Sequence, residues 1–66
     1  MSIQTEFLIY CIEEYKYEKH LSGKQVILLF NQYHISEYIT RHYDALHTTG
    51  GKYIVSDIDE YIKARA

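Results

Sequence analysis

The chain has 66 residues, a net charge of −2 and one cysteine, with 24% charged and 47% apolar residues. This balance is that of a globular domain and excludes a disordered chain. A single cysteine excludes an internal disulfide, and the slight negative charge gives no drive toward nucleic acid or an anionic membrane. We therefore expect one domain over residues 1–66, small enough to need very efficient packing or a partner.

The first predicted helix covers residues 3–20. Its apolar face follows the helical period and is formed by Phe7, Leu8, Cys11, Ile12 and Tyr15. Ile9 and Tyr17 fall on the opposite, polar side, where exposed apolar residues suggest a contact surface. Cys11 lies inside the apolar stripe, so we interpret it as a buried small hydrophobe rather than a reactive thiol.

The second predicted helix covers residues 23–33 and contains Val26–Phe30, a run of five apolar residues. Ser22 followed by Gln25 is typical of a capping box. Leu21 and Val26 are placed to form a hydrophobic staple across the same turn. Because the run is apolar nearly all round, we expect this helix to be buried.

The third predicted helix begins at Ser36, a plausible N-cap, and ends near His47. Its apolar face contains Ile35, Tyr38, Ile39, His42 and Leu46. His42 lies in the middle of that face, so we interpret it as a histidine packed against tyrosines rather than as a ligand or a proton shuttle. Gly50 and Gly51 then end the helix through a left-handed C-cap.

Residues 52–55 alternate aromatic and β-branched side chains and are predicted to be extended. Ser56 and Asp59 predict a capping box for a last helix. The fold class is therefore all-α: a compact bundle of about four helices with one short extended segment before the last. A lone strand leaves its backbone unpaired, so Tyr53–Val55 is either a connector or the seam of a self-paired dimer.

Catalytic and metal-binding residues are not predicted. The four histidines contain no pair at the i, i+3 or i, i+4 spacing that would place two ligands on one helical face. Asp44 and His47, three residues apart, would supply only two ligands to a metal ion. Cys11 has no general base near it in the sequence. No cofactor and no small-molecule substrate is expected, and the chain is not expected to be an enzyme.

Helix 2, a tight turn and helix 3 resemble a helix-turn-helix in spacing, which makes a small DNA-binding regulator the alternative function. The candidate recognition helix carries Glu37, Arg41 and Asp44, so it is not net basic. Since DNA affinity depends largely on neutralising phosphates, the charges weigh against nucleic acid as a partner.

Four segments carry a family resemblance: residues 7–15 (FLIYCIEEY), 22–24 (SGK), 43–48 (YDALHT) and 58–62 (IDEYI). They are similar to the bacterial family named domain of unknown function 3791, along nearly the whole chain. The resemblance implies a cytoplasmic, stand-alone bacterial domain and brings no catalytic residue. It also implies gene neighbours similar to ADP-ribosyltransferases, which points to a toxin-neutralising or accessory role.

Asp44, His47 and Thr48 belong to the most distinctive of these segments and have two interpretations. In the structural one, His47 bonds the last carbonyls of its helix or Tyr53, which fixes the exit of the chain. In the functional one, a carboxylate, an imidazole and a hydroxyl together form a binding site. Both remain open on the sequence alone.

These observations favour a non-enzymatic protein–protein interaction module, with a second copy or a different protein as its partner. An antitoxin-like or regulatory partner of a neighbouring bacterial protein is one form of it. The expected interaction surface comprises Ile9, Tyr17, Tyr53, Asp44, His47 and Thr48. The first six residues lack the basic segment of a signal peptide, and no membrane-spanning run occurs, so the expected location is the cytoplasm.

Overall fold

In a computed structural model, the described residues, 2–66, form five helices with no strand between them. The helices are α1 (Ile3–Lys19), α2 (Gly23–Gln32), α3 (Ile35–Arg41), α4 (Tyr43–Leu46) and α5 (Gly51–Arg65). The predicted all-α bundle is confirmed. No helix in this part of the chain is both long and apolar enough to cross a membrane.

The core is formed where α1 packs against α5 and α2, and where α3 packs against α1 and α2. Every helix contributes to it, and its buried members are Cys11, Tyr15, Val26, Phe30, Ile35, Ile39, Leu46, Ile54, Val55 and Ile58. No buried side-chain nitrogen or oxygen of residues 2–66 lacks a hydrogen-bond partner. The core is therefore continuous and free of unsatisfied side chains.

The predicted extended segment is wrong, because residues 52–55 belong to the first turns of α5. Ile54, Val55 and Ile58 are all buried, and they continue as Tyr61 and Ile62 with the period of one helical face. The strand preference of four residues is overridden by the burial of this stripe. Ser56 is consequently an interior residue of α5 and caps nothing. A dimer seam formed by an extended Tyr53–Val55 is excluded.

The predicted connection between α1 and α2 is confirmed. The N–H of Leu21 donates to the carbonyl of Lys16 at 3.1 Å, and the N–H of His20 donates to Tyr17 at 3.4 Å. These two bonds, with His20 left-handed at φ 57°, define a Schellman motif. Ser22 and Gln25 then form both bonds of the predicted capping box.

The third helix departs from its prediction at both ends. Ser36 is not its N-cap, because α3 already begins at Ile35 after a left-handed His34 with φ 55°. The helix breaks at His42, so the predicted length is divided between α3 and α4. His42 is exposed rather than packed in the apolar face, although its ring lies 4.7 Å from that of Tyr38.

The two glycines after α4 also differ from their predicted role. Neither has a positive φ, and Gly50 is the extended N-cap of α5 instead of a left-handed C-cap. The Glu14 carboxylate lies against Gly51, so closely that a Cβ added there would come within 2.5 Å of it. This places a negative charge beside the N-terminus of α5, where the helix dipole stabilises it.

Helix α2 is less buried than its apolar composition predicts. Val26 and Phe30 lie in the core, whereas Ile27 and Leu28 are exposed to 47% and 60%. The main packing partners of α2 are α1 and α3. The expectation of a fully buried helix is therefore wrong, and two large aliphatic side chains remain on the surface.

We expect Ile54→Ala to lower the free energy of unfolding by about 2–5 kcal/mol, because it opens a cavity in the core. Tyr53→Ala, at the exposed neighbouring position, should change it by less than about 0.5 kcal/mol. Urea unfolding followed by circular dichroism compares the two variants. Equal losses would contradict a helical segment that buries one residue and exposes the next.

We expect His20→Gly to raise the stability by about 1 kcal/mol, since glycine adopts the left-handed conformation without the steric cost of a Cβ. For a domain of this size that corresponds to a rise in Tm of about 4–8 °C. His20→Ala is the matched control, because it removes the imidazole and keeps the Cβ. A rise in Tm for alanine equal to that for glycine would show that the backbone is not the cause.

Candidate interaction surface

Helix α5 is attached to α1 by a polar cluster around Asp59. The Tyr15 hydroxyl donates to one oxygen of the Asp59 carboxylate at 2.7 Å, and the Lys19 ammonium donates to the other at 2.8 Å. Lys19 also lies 5.9 Å from the centre of the Tyr15 ring. Both acceptor oxygens are therefore occupied by α1, and the cluster is structural.

A second polar contact attaches α5 to α3. The Tyr38 hydroxyl donates to Asp57 at 2.6 Å, and its ring packs 4.0 Å from the ring of Tyr61. The guanidinium of Arg65 covers Tyr61 at 3.6 Å from the ring centre. The His42 ring lies 4.7 Å from that of Tyr38, so these side chains form one cluster between α3 and α5.

The groups with raised pKa values are Tyr10, Cys11, Tyr15 and Tyr38, and each favours its neutral form. Burial raises the pKa of the Cys11 thiol to about 12, with a smaller contribution from the nearby Glu14 carboxylate. Burial and the hydrogen bond to Asp57 raise the pKa of Tyr38 to about 12. Burial and Asp59 raise the pKa of Tyr15 as well. None of these changes activates a nucleophile, since activation requires a lowered pKa.

Asp44, His47 and Thr48 lie at the end of α4. The Nδ1 atom of His47 is 2.9 Å from the Tyr43 carbonyl oxygen, and the Thr48 hydroxyl donates to the Ala45 carbonyl at 3.4 Å. His47 thus bonds a carbonyl of its own helix, which is one of the two structural contacts predicted for it, and not Tyr53. Asp44, His47 and Thr48 are all exposed, so they are also accessible to a partner.

A second aromatic stack connects this end of the bundle to α1. The rings of Tyr43 and His47 are parallel at 4.5 Å, and Tyr43 meets Phe7 edge-on at 5.3 Å. Phe7 in turn stacks on Tyr10 at 6.1 Å. Residues 43–48, the most distinctive of the segments that carry the family resemblance, therefore lie beside the N-terminal half of α1.

The remaining predicted surface residues are exposed but do not share one element. Ile9 and Tyr17 lie on α1, with Tyr17 exposed to 77%, and Tyr53 lies on the first turn of α5. Sequence reasoning did not single out Ile3, which is also exposed on α1. Its signal was available, because Ile3, Tyr10 and Tyr17 are spaced by seven residues. These three residues are named the α1 stripe.

An open groove of about 630 Å³ lies between the C-terminal half of α1 and α5. Its charged walls are mixed in sign and comprise Glu18, Lys19, Lys52, Asp59, Glu60 and Lys63. Because the signs balance, the groove has no preference for an anion or a cation. Within residues 2–66 there is no group of three or more metal-ligating side chains.

The fold and surface define a small all-α domain with polar tethers inside and large apolar side chains outside. A family model described as protein of unknown function (DUF3791) matches residues 6–65, so the chain belongs to this family, as the resemblance indicated. Comparison with curated proteins gave no match. Comparison with solved structures gave none either.

We expect the stability to fall as the pH rises from 10 toward 12. The folded-state pKa of Tyr38, about 12, lies above its ordinary value of 10.0. The unfolded chain therefore loses this proton first, and the stabilisation present below pH 10 disappears as the pH approaches the folded value. Urea titrations at pH 8, 9.5 and 11 measure this slope.

Tyr38→Phe should give a shallower alkaline decline and lower the stability at pH 8 by about 1 kcal/mol, for the lost hydrogen bond. Tyr17→Phe is the control, because it removes an exposed hydroxyl. An alkaline slope that is the same in Tyr38→Phe as in the wild type would show that Tyr38 does not contribute to it.

Proposed function

We propose that the chain is a non-enzymatic protein–protein interaction module. The observation that carries the proposal is the number of large apolar side chains on its outer surface. These side chains are Ile3, Ile9, Tyr10, Tyr17, Ile27, Leu28 and Tyr53. Single exposed apolar residues are ordinary, but several along one face of a helix are typical of a contact surface.

The chemistry of the titratable groups supports a binding role. Cys11 is fully buried, and the hydroxyls of Tyr15 and Tyr38 donate to aspartates of α5. Each of these groups has a structural use, and none faces the open groove with a lowered pKa. Enzymes instead place perturbed groups in a cleft where substrate can reach them.

Tyrosine shares this surface with isoleucine and leucine and suits such a role. Three of the seven exposed large side chains are tyrosines. A tyrosine supplies a broad apolar ring with two rotatable bonds and a hydroxyl that can bond to a partner, which explains its enrichment at interfaces. An antitoxin-like or regulatory partner of a neighbouring bacterial protein in the cytoplasm is the specific form that we propose.

If the chain is an interaction module, we expect it to bind one protein partner in its host at a fixed molar ratio. The test is affinity capture of the tagged, full chain from its own host, with mass spectrometry and a light-scattering mass of the eluate, and with the tag alone as control. A single partner at a fixed molar ratio is the expected result. A partner similar to ADP-ribosyltransferases would favour neutralisation.

A clean homodimer with nothing else bound would contradict a role with a different protein as partner. DNA binding would then be tested with the chain's own promoter over a series of salt concentrations, since a steep salt dependence marks phosphate contacts. The exposed residues of α3 include both Glu37 and Arg41, so nothing in its charge favours that alternative.

A further inference from the structure

The α1 stripe is a straight apolar line on the outside of the bundle. Ile3, Tyr10 and Tyr17 are exposed to 67%, 43% and 77%, although α1 as a whole packs against α2, α3 and α5. At about 1.5 Å per residue, the line is roughly 21 Å long. No other helix of residues 2–66 covers it.

The spacing of the stripe indicates the shape of what covers it. A period of seven residues keeps side chains on one seam of two helices that wind around each other. Four turns of exposed seam therefore fit one helix lying along α1.

The charge around the stripe indicates the chemistry of that helix. Glu6 and Glu13 lie exposed on one side of the stripe in helical projection, whereas the Glu14 carboxylate on the other side lies against Gly51 at the N-terminus of α5. Helix α1 contains four glutamates and two lysines, so its net charge equals the −2 of the whole chain. Lys16 is paired with Glu13 at 3.1 Å and Lys19 with Asp59 at 2.8 Å.

A second copy of the chain fits this surface poorly. In an antiparallel pair of α1 helices centred on Tyr10, Glu6 comes beside the second copy's Glu13, and this occurs twice by symmetry. In a parallel pair, Glu13 comes beside the second copy's Glu14. Like charges facing each other across a helical seam disfavour pairing.

We infer that the α1 stripe docks a basic amphipathic helix of a different protein. The partner helix places apolar residues on Ile3, Tyr10 and Tyr17, and it places lysine or arginine beside the flanking glutamates. The inference rests on the proposed function and specifies its partner: apolar contact supplies affinity, and charge selects the partner.

The test uses two helical peptides of about 21 residues, stapled so that both are helical at this length. Both carry leucine at the seam positions, and the flanking residues are lysine in one and glutamate in the other. Isothermal titration of the intact protein is expected to detect the lysine peptide and not the glutamate peptide. Equal binding of both peptides, or of neither, would overturn the inference.

Variants locate the binding on the protein. Ile3→Ser/Tyr17→Ala is expected to weaken binding of the lysine peptide at least tenfold, because both side chains are exposed and their loss leaves the core intact. The matched control, Ile27→Ser/Leu28→Ser, removes exposed apolar residues of α2 and should leave binding unchanged. Equal losses in the two variants would assign the binding to general stickiness and overturn the inference.

A charge exchange tests the selectivity. Glu6→Lys/Glu13→Lys should weaken binding of the lysine peptide about tenfold and allow the glutamate peptide to bind. An unchanged preference for the lysine peptide would overturn the inference. If light scattering gives the protein alone twice the monomer mass, and Tyr17→Ala lowers that mass, a second copy covers the stripe and the inference is overturned. If a host protein is captured equally by wild-type and Tyr17→Ala bait, the proposed function stands and this inference fails.

Discussion

Two tyrosine–aspartate hydrogen bonds hold the last helix between its neighbours, and the bundle depends on them. Asp59 accepts from Tyr15 of α1, and Asp57 accepts from Tyr38 of α3. The two acceptors are separated by one residue, so they point to different sides of α5. Ile54 and Ile58, both fully buried, lie on the same helix between these attachments. The polar bonds therefore fix the rotation of α5, and the apolar residues supply the stabilising burial.

This arrangement explains why a small domain can leave so much apolar surface uncovered. A chain of this size has few interior positions, and the bundle assigns them to branched aliphatic residues, one phenylalanine, one cysteine and one tyrosine. Tyr15 and Tyr38, which donate to Asp59 and Asp57, lie inside or at the boundary, whereas Tyr17 and Tyr53 are exposed. The outer face of α1 is left available for contact.

Signals within one turn of chain predict some helix boundaries and miss others, since the N-caps expected at Ser36 and Ser56 do not form. The capping box of Ser22 and Gln25 and the end of α1 near His20 depend on neighbouring residues, and both are correct. Residues 52–55 were assigned wrongly because four residues express strand preference, while the helical stripe from Ile54 to Ile62 needs nine. The exposure of Ile27 and Leu28 depends on how many helices surround α2, which local pattern does not encode. For the candidate surface, the exposure of Ile9 and Tyr17 follows from helical periodicity, whereas the stack that links His47 to Phe7 requires tertiary structure.

The sequence separation of these contacts has a consequence for folding kinetics. Helices α1 to α4 are joined by connections of one to three residues, so their mutual contacts close short loops. Tyr15 and Asp59, in contrast, are 44 residues apart. Because closing a longer loop costs more chain entropy, we expect the docking of α5 on α1 to limit the folding rate of a domain whose other connections are short.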